Sequence, residues 1–167
     1  MNIQLAQEND LSEILELLCL LLVNMQQNGF NYWNKNYPSE KIPSDISQQC
    51  LYKVVVEEVI LGIVSLNESQ DKNYASLSWK YGGNILAVHR LAVHPKAQRK
   101  GIGWKLMQFA EDFAQQNGYD AIRLDTYSQG FMVDFYKKMN YQVVGNVILN
   151  PEVDFFVCLE KEIRPLR

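Results

Sequence analysis

The feature that most constrains the fold is the stretch from residue 85 to 117, where an apolar strand leads through a glycine-bearing turn into a helix. Residues 85–94 are rich in branched apolar side chains, and Pro95, which has no N–H for a sheet ladder, ends the strand. Beyond it, apolar residues recur at helical spacing as far as Gly118, which suits a left-handed helix C-terminus. These residues are Ile102, Leu106, Phe109, Ala110 and Phe113. We therefore predict a helix from about residue 101 to 117.

The turn that opens this helix carries two glycines, Gly101 and Gly103. The first N–H groups of a helix have no acceptor within the helix, and they lie at the positive end of its dipole. Because neither glycine has a side chain, these N–H groups are unobstructed, and an anion can bind directly to them. The turn therefore predicts a phosphate-binding site.

Two common phosphate motifs do not match this turn. A dinucleotide fingerprint needs a third glycine three residues after the second, where the chain has Leu106. The phosphate loop of nucleotide hydrolases needs Gly-Lys-Ser/Thr, but Gly103 is followed by Trp104. The segment Gln-Arg-Lys-Gly-Ile-Gly at 98–103 instead resembles the Gln/Arg-x-x-Gly-x-Gly/Ala signature of the GNAT acetyltransferases. As in that family, it follows a Leu-x-Val-x-Pro segment, here Leu91 to Pro95.

The resemblance extends downstream and covers about residues 85 to 145. Residues 122–126, Ile-Arg-Leu-Asp-Thr, resemble the fifth strand of the family. Residues 135–141, Phe-Tyr-Lys-Lys-Met-Asn-Tyr, resemble the segment in which a helix delivers a tyrosine toward the thioester.

Three positions depart from the family pattern. Gln129 stands where the family usually has Asn, Met132 where it usually has Ala, and Asn140 replaces the usual glycine after the helix. The first puts one side-chain contact to the cofactor in doubt. Asn140 is a mild change, because asparagine tolerates the left-handed conformation that a helix C-terminus requires.

Periodicity along the rest of the chain gives an element order like that of the GNAT fold. Asn9 or Asp10 is a candidate cap for the first helix, and Ser44 for the second. The predicted strands are 2–6, 51–56, 59–67, 85–94, 121–125, 141–148 and 153–160, and the predicted helices end near 27, 50, 117 and 139. The resemblance implies an α/β (α+β) fold, with a mixed, mostly antiparallel sheet of about seven strands flanked by about four helices. No linker or repeat divides the chain, so residues 1–167 are expected to form a single domain.

The chain is acidic overall, but the segment in its middle is basic. The net charge is -3, which argues against general binding to nucleic acid or to acidic membranes. No carboxylate occurs between Asp71 and Glu111, an interval that contains the glycine turn. The cationic residues in it are Lys72, Lys80, Arg90, Lys96, Arg99, Lys100 and Lys105. This cluster fits a polyanionic cofactor such as coenzyme A; a solvated basic face is the alternative.

Cysteine usage and the N-terminus indicate a cytoplasmic protein. Cys19, Cys50 and Cys158 are odd in number and lie in apolar surroundings, which predicts buried, reduced thiols. The N-terminus lacks a signal-peptide pattern, and the apolar run at 14–25 is too short to span a bilayer.

The resemblance implies acetyl-CoA as co-substrate and assigns residues to it. Backbone N–H groups from Arg99 through Gly103 would receive the pyrophosphate, and Gln98 would shape the turn. Main-chain groups at the end of the fourth strand would pair with the pantetheine arm like an added strand. The full cofactor-binding set is Leu91, Ala92, Val93, Gln98, Arg99, Lys100, Gly101, Ile102, Gly103, Gln129 and Tyr136.

Two residues are candidates for proton transfer. Tyr136 matches the family tyrosine that protonates the leaving thiolate; a core tyrosine on an apolar helix face is the alternative. His89 is expected on the same strand face as Leu91 and Val93, and serotonin N-acetyltransferase has a functional histidine at this place. It is a candidate general base, with a hydrogen-bonded structural histidine and an ordered water as the alternatives. His89 and His94 are expected to face opposite sides of the strand, so no metal site is predicted.

The acceptor pocket is expected to use aromatic residues, which can surround a cationic or apolar amine. The candidates are Trp33, Tyr37, Trp79 and Tyr127; ordinary packing is the alternative for each. The leading hypothesis is direct acetyl transfer to a primary amine of a small molecule or peptide in a ternary complex. The alternatives are a non-catalytic acyl-CoA sensor and a protein N-terminal or lysine acetyltransferase. A homodimer is possible by analogy with the family, with pairing of the C-terminal strand at Asp154 to Glu160.

Overall fold

The computed structural model describes residues 1–164, which form seven strands and four α-helices with short 3-10 turns between them. The strands are β1 (Asn2–Leu5), β2 (Leu51–Val56), β3 (Val59–Asn67), β4 (Ile85–Val93), β5 (Ala121–Tyr127), β6 (Gln142–Val147) and β7 (Phe156–Glu162). The helices are α1 (Leu11–Gln27), α2 (Ile42–Ser47), α3 (Ile102–Gln116) and α4 (Met132–Lys138). The predicted order of elements and the predicted mixed fold are confirmed.

The strands follow the order β1-β2-β3-β4-β5-β7-β6 in one sheet. β4 and β5 are parallel, with Ile85 opposite Ala121, whereas β1–β2, β2–β3, β5–β7 and β7–β6 are antiparallel. Because β7 is hydrogen-bonded on both sides, its backbone has no open edge for a second subunit. The prediction that the segment from Asp154 to Glu160 pairs between subunits is therefore wrong in its choice of strand.

By its contacts the chain forms two compact units, and β4 contributes to both. The first unit contains residues 1–66 and 89–110. Its core is built on the apolar face of α1, where residues three and four apart are buried. These are Ile14, Leu17, Leu18, Leu21 and Met25. They belong to one cluster with Ile42 and Ile46 of α2 and Leu51 and Ile63 of the β2–β3 hairpin.

Among the described residues, the second unit contains 67–88 and 111–164. Here the segment between β3 and β4 is attached to β5 and β7 by polar contacts. The buried carboxylate of Glu160 accepts the backbone N–H groups of Lys80 and Tyr81, at 2.8 and 3.3 Å. The Tyr74 hydroxyl donates to Asp125 Oδ2 at 2.5 Å. These bonds satisfy polar groups that burial would otherwise leave at a cost.

Two of the predicted helix caps, Asp10 and Ser44, do not act as caps, because the local turns differ from those predicted. α2 begins at Ile42 with Pro43 in its first turn, where a missing N–H costs nothing, so Ser44 lies within the helix and does not cap it. Asp10 precedes α1 but makes no side-chain cap bond to it; its carboxylate instead accepts from Gln7 N and Lys53 Nζ. The hairpin turn at Glu57 and Glu58 has positive φ at both residues, 50° and 65°, and both residues are exposed.

All three cysteines carry free thiols, but they differ in exposure. Cys50 and Cys158 are buried, whereas Cys19 is exposed, so the prediction for Cys19 is wrong. Cys19 lies on α1 beside Leu20, on the face turned away from the core, which the apolar sequence around it did not reveal. No α-helix within residues 1–164 is both long enough and apolar enough to cross a membrane.

Candidate active site

The glycine turn in the first unit owes its shape to two left-handed residues, Arg99 at φ 60° and Gly101 at φ 81°. α3 begins immediately afterwards, and Lys105 N donates to Gly101 O at 3.0 Å as one of its first helical bonds. The N–H groups of Ile102 and Gly103 are in the first turn, where a helix provides no acceptors. A Cβ built on Gly101 would meet nothing within 4 Å, so the space over the turn is open. This geometry agrees with the predicted phosphate-binding turn, and anion binding there stays a prediction.

The approach to the turn is fixed by two side chains. Gln98 Nε2 donates to the carbonyl of Val93 at 3.3 Å, which ties the turn back to the end of β4. His94 Nδ1 accepts the N–H of Lys96 at 3.1 Å and caps the 3-10 turn at Pro95–Ala97. His94 thus has a structural task in the turn. The bond from Gln98 fits the prediction that this residue shapes the turn.

The start of α3 lies very close to β3 at Gly62. A Cβ on Gly62 would come within 3.0 Å of Leu106 Cδ1, 3.1 Å of Ile102 Cγ2 and 3.1 Å of the Ala92 carbonyl oxygen. Only a residue without a side chain leaves room for this approach. Gly62 therefore sets how closely the first turn of α3 packs on the sheet, a role that the sequence pattern did not predict.

β4 is interrupted at Arg90, which has φ 52°. Side chains alternate between the faces of a strand only while the backbone stays extended, and a left-handed residue breaks that alternation. We expected His89 to share a face with Leu91 and Val93 and to face away from His94. That expectation assumed unbroken alternation along β4, and the left-handed Arg90 removes this assumption. His89 and Leu91 are each partly buried, and the position of His89 relative to an amine stays a prediction.

The Arg90 side chain is anchored in a buried polar cluster of the first unit. Its Nε and Nη2 donate to the two carboxylate oxygens of Asp45 on α2, at 2.5 and 2.8 Å. Ser65 on β3 donates to the same carboxylate at 2.5 Å, and the Tyr37 hydroxyl is a further partner of the guanidinium. Burial alone would lower the pKa of Arg90, but the hydrogen bonds and charge of Asp45 outweigh it, so the pKa is raised.

The aromatic segment between α1 and α2 packs ring against ring. Trp33 lies between Tyr32 and Tyr37 in edge-to-face contacts, with ring centroids 5.9 and 6.4 Å away. Trp33 also lines a small cavity of about 120 Å³. The other lining residues are Leu18, Cys19, Leu22, Asn34, Lys35, Pro38 and Ser39. Of the four predicted acceptor-site aromatics, the structure brings Trp33 and Tyr37 together here.

Tyr136 lies on α4 in the second unit and is only 4% exposed. Its ring packs edge-to-face against Phe135 and Tyr141, with centroids 5.1 and 5.7 Å away. Asn140, just after the helix, has φ 66°, as its replacement of glycine predicted. The ring environment is that of a core tyrosine, so any part in catalysis depends on its hydroxyl.

Trp79 has structural partners in the second unit. Its Nε1 donates to the Tyr74 carbonyl at 2.8 Å, and the guanidinium of Arg123 covers its ring at 4.4 Å. These contacts favour the packing alternative over a place in the acceptor pocket. Tyr127, at the end of β5, packs edge-to-face on Phe156 with centroids 5.8 Å apart.

Gln129 is exposed and already engaged. Its Nε2 donates to Asp154 Oδ2 at 2.8 Å, which occupies one of the two N–H groups of the amide. This is the position where the sequence departs from the family pattern.

Covalent catalysis by a buried thiol is disfavoured at Cys158. Burial raises its pKa to about 12, with smaller contributions from the negative charges of Asp125 and Asp71. A thiol with that pKa stays protonated near neutral pH and is a poor nucleophile. Across residues 1–164, no group of three or more His, Cys, Asp or Glu side chains is placed to hold a metal ion.

Comparison with protein families gives one decisive match. The model of the acetyltransferase (GNAT) family matches residues 20–141, which is well over half of the chain. The chain belongs to the GNAT family. Among curated protein sequences, the comparison found no relative of this chain.

Solved structures of GNAT proteins share the fold at low sequence identity. A GNAT-family acetyltransferase from Streptococcus agalactiae superposes with a TM-score of 0.82 at 18% identity, covering 99% of this chain and 96% of that one. PaiA N-acetyltransferase from Thermoplasma acidophilum, solved with coenzyme A, gives 0.72 at 18% identity, covering 96% and 98%. An aminoglycoside 6'-N-acetyltransferase, also solved with coenzyme A, gives 0.68 at 16%, covering 100% and 99%.

Within this GNAT chain, some of the predicted site residues belong to the first unit and others to the second. Leu91 to Val93 and the glycine turn lie together in the first unit, connected by Gln98. Trp33 and Tyr37 are also in that unit, whereas Trp79, Tyr127, Gln129 and Tyr136 belong to the second. Sequence reasoning missed Gly62 and the Asp45–Arg90 pair; the only signal for the pair was an arginine inside an apolar strand.

Proposed function

We propose that this protein transfers the acetyl group of acetyl-CoA to a primary amine of a small molecule or peptide. The observation that carries the proposal is the open, left-handed turn at Arg99 and Gly101, which leads directly into the first turn of α3. Membership of the GNAT family supports the same reaction class. Two structural neighbours of the same fold were solved with coenzyme A, which supports the choice of donor.

The residues around the turn fit a coenzyme A pyrophosphate. Backbone N–H groups from Arg99 through Gly103 are proposed to donate to its oxygens, and the open space over Gly101 leaves room for them. The exposed side chains of Arg99 and Lys100 add positive charge beside the turn. The adjoining backbone of Leu91 to Val93 is proposed to pair with the pantetheine arm.

When bound, acetyl-CoA supplies the acetyl group and a thiolate leaving group. A backbone N–H near the end of β4 is proposed to donate to the thioester oxygen as negative charge develops there. The Tyr136 hydroxyl is proposed to give its proton to the leaving sulfur. A phenol has a reference pKa of roughly 10, close to that of a thiol. It therefore stays protonated near neutral pH and can donate its proton to the leaving thiolate.

The amine has to lose a proton before or during attack. His89 is the proposed general base, because a neutral imidazole accepts protons near neutral pH. An ordered water is the alternative, and a pH–rate profile that His89→Gln leaves unmoved would select it. Trp33 and Tyr37, packed against each other in the aromatic segment, are the proposed acceptor-side residues, and an aromatic surface suits a cationic amine.

Thiol release from acetyl-CoA in the presence of an amine library tests the reaction. We expect amine-dependent release by the wild type, and a fall of about 10²-fold or more in turnover for Tyr136→Phe, with nearly unchanged cofactor affinity. Tyr141→Phe is the matched control, since it removes a second buried hydroxyl, 3% exposed, from the adjacent ring. It should retain turnover.

The outcomes separate the competing functions. Tight coenzyme A binding without release for any amine would favour the sensor alternative over catalysis. Release with protein substrates but not with small-molecule or peptide amines would favour a protein N-terminal or lysine acetyltransferase. Equal turnover for Tyr136→Phe and the wild type would reject the acid role of Tyr136 and leave its ring as core packing.

A further inference from the structure

A non-glycine residue in the middle of β4 holds a conformation that costs free energy. Arg90 has φ 52°, where its Cβ crowds the following carbonyl, and the strand continues on both sides of it. Such a conformation persists only when surrounding contacts enforce it. The residues that follow directly are Leu91, Ala92 and Val93.

The side chain of Arg90 is bound to Asp45 on α2. The guanidinium binds the carboxylate through two bonds of 2.5 and 2.8 Å, and both side chains are at least nine-tenths buried. Two parallel bonds between planar groups fix the orientation of both partners, not only their distance. Ser65, which is 0% exposed, donates a third bond to the carboxylate and fixes it from β3.

We propose that the Arg90–Asp45 pair is a positioning device that holds the left-handed conformation of Arg90 within β4 and so presents the backbone of Leu91 to Val93 to the donor. This inference rests on the proposed function, in which that backbone pairs with the pantetheine arm. Arg90 acts through the backbone that follows it and does not itself contact the reacting atoms.

The competing explanation is that the pair stabilises the fold without shaping the strand. Removing one partner does not distinguish these explanations, because it leaves an uncompensated buried charge and destabilises the protein in either case. A useful test removes both charges and then varies the ability of residue 90 to adopt positive φ. Glycine adopts it readily, whereas methionine, which is similar in length to arginine, does not.

The experiment compares Asp45→Asn/Arg90→Gly with Asp45→Asn/Arg90→Met. We expect the methionine variant to bind coenzyme A about tenfold or more weakly, because displacement of positioning groups by about an ångström produces losses up to 10²-fold. The glycine variant should recover most of that loss. Hydrogen exchange without ligand should be faster in peptides covering 85–94 for the methionine variant than for the glycine variant.

The matched control is Asp10→Asn/Lys53→Met, which removes the other close ion pair of the first unit, Lys53–Asp10 at 2.6 Å, away from β4. It should leave coenzyme A affinity within about twofold of wild type. Arg90→Lys is the fallback if the methionine variant does not fold: it keeps the charge but loses the planar two-bond contact, and it should weaken binding by several-fold.

Equal coenzyme A affinity and equal exchange for the glycine and methionine variants would overturn the proposal. So would a loss of affinity in the Asp10/Lys53 control as large as that in the methionine variant. If the wild type itself does not bind coenzyme A, the proposed function fails, and the exchange comparison alone decides the role of the pair: faster exchange with methionine supports it, and equal exchange rejects it.

Discussion

The glycine turn at 98–103 and the aromatic segment at 30–43 lie in the same unit. The backbone determines the shape of the turn, whereas side chains determine the shape of the aromatic segment. The turn is shaped by backbone dihedral angles, with left-handed residues at Arg99 and Gly101. The aromatic segment is shaped by side chains, since Trp33 packs edge-to-face on Tyr32 and Tyr37. A short glycine pattern in the sequence is enough to indicate a site made of backbone N–H groups. The shape of an aromatic surface depends instead on how each ring packs, which the sequence pattern does not give. The sequence therefore predicts the acetyl donor but not the amine acceptor.

The largest effect is expected from the turn. In Gly101→Val a β-branched residue would occupy φ 81°, which is strongly disfavoured, and the N–H groups would shift out of alignment. We expect coenzyme A affinity to fall by about 10²-fold or more, as measured by calorimetry.

Gly118→Val is the matched control for that variant. Gly118 also has positive φ, 74°, with nothing within 4 Å of a built Cβ, but it follows the far end of α3. Both variants should lose similar stability, on the order of 1–2 kcal/mol. Only Gly101→Val should lose affinity; a comparable loss for both would show that general destabilisation, not the turn, limits binding.

A smaller effect is expected from the packing beneath the turn. Gly62→Val forces atoms against Ile102, Leu106 and the Ala92 carbonyl, which are already 3.0–3.1 Å from a single Cβ. Overpacking of this kind costs about 1–3 kcal/mol and should displace the start of α3. We expect a lower melting temperature together with roughly tenfold weaker coenzyme A binding, since the turn moves with the helix. Gly82→Val, at a glycine with open space around it, should change neither property.

The smallest effect is expected from the aromatic segment. Trp33→Ala removes one ring from a surface that several residues build, so the KM for the amine should rise about fivefold while coenzyme A affinity stays unchanged. Steady-state kinetics with both substrates varied measures this. Leu20→Ala, on the exposed face of α1, is the control. A change in coenzyme A affinity for Trp33→Ala would remove the distinction between the two regions.

Elements with strong local signals were predicted closely. The strands β2 and β3 have the predicted bounds, and α3 differs from its prediction by one residue at each end. Asn140 and Gly118 both have the predicted left-handed conformation. In each case the residues that determine the structure are neighbours in sequence.

The failures involve partners distant in sequence. The left-handed Arg90 depends on Asp45 and Ser65, which lie 45 and 25 residues earlier, and nothing in an arginine predicts positive φ. The interior position of β7 depends on β5 and β6 together. The exposure of Cys19 depends on which face of α1 meets the core, and residues 17–23 around Cys19 on that helix are all apolar. Local pattern carries none of this information.

Hydrogen exchange of the wild type with and without coenzyme A tests the central claim most directly, because it locates donor binding along the chain. We predict that coenzyme A slows exchange in peptides covering residues 91–103, while peptides covering 30–43 change little. Protection confined to 30–43, with none across 91–103, would contradict the assignment of the glycine turn to the donor.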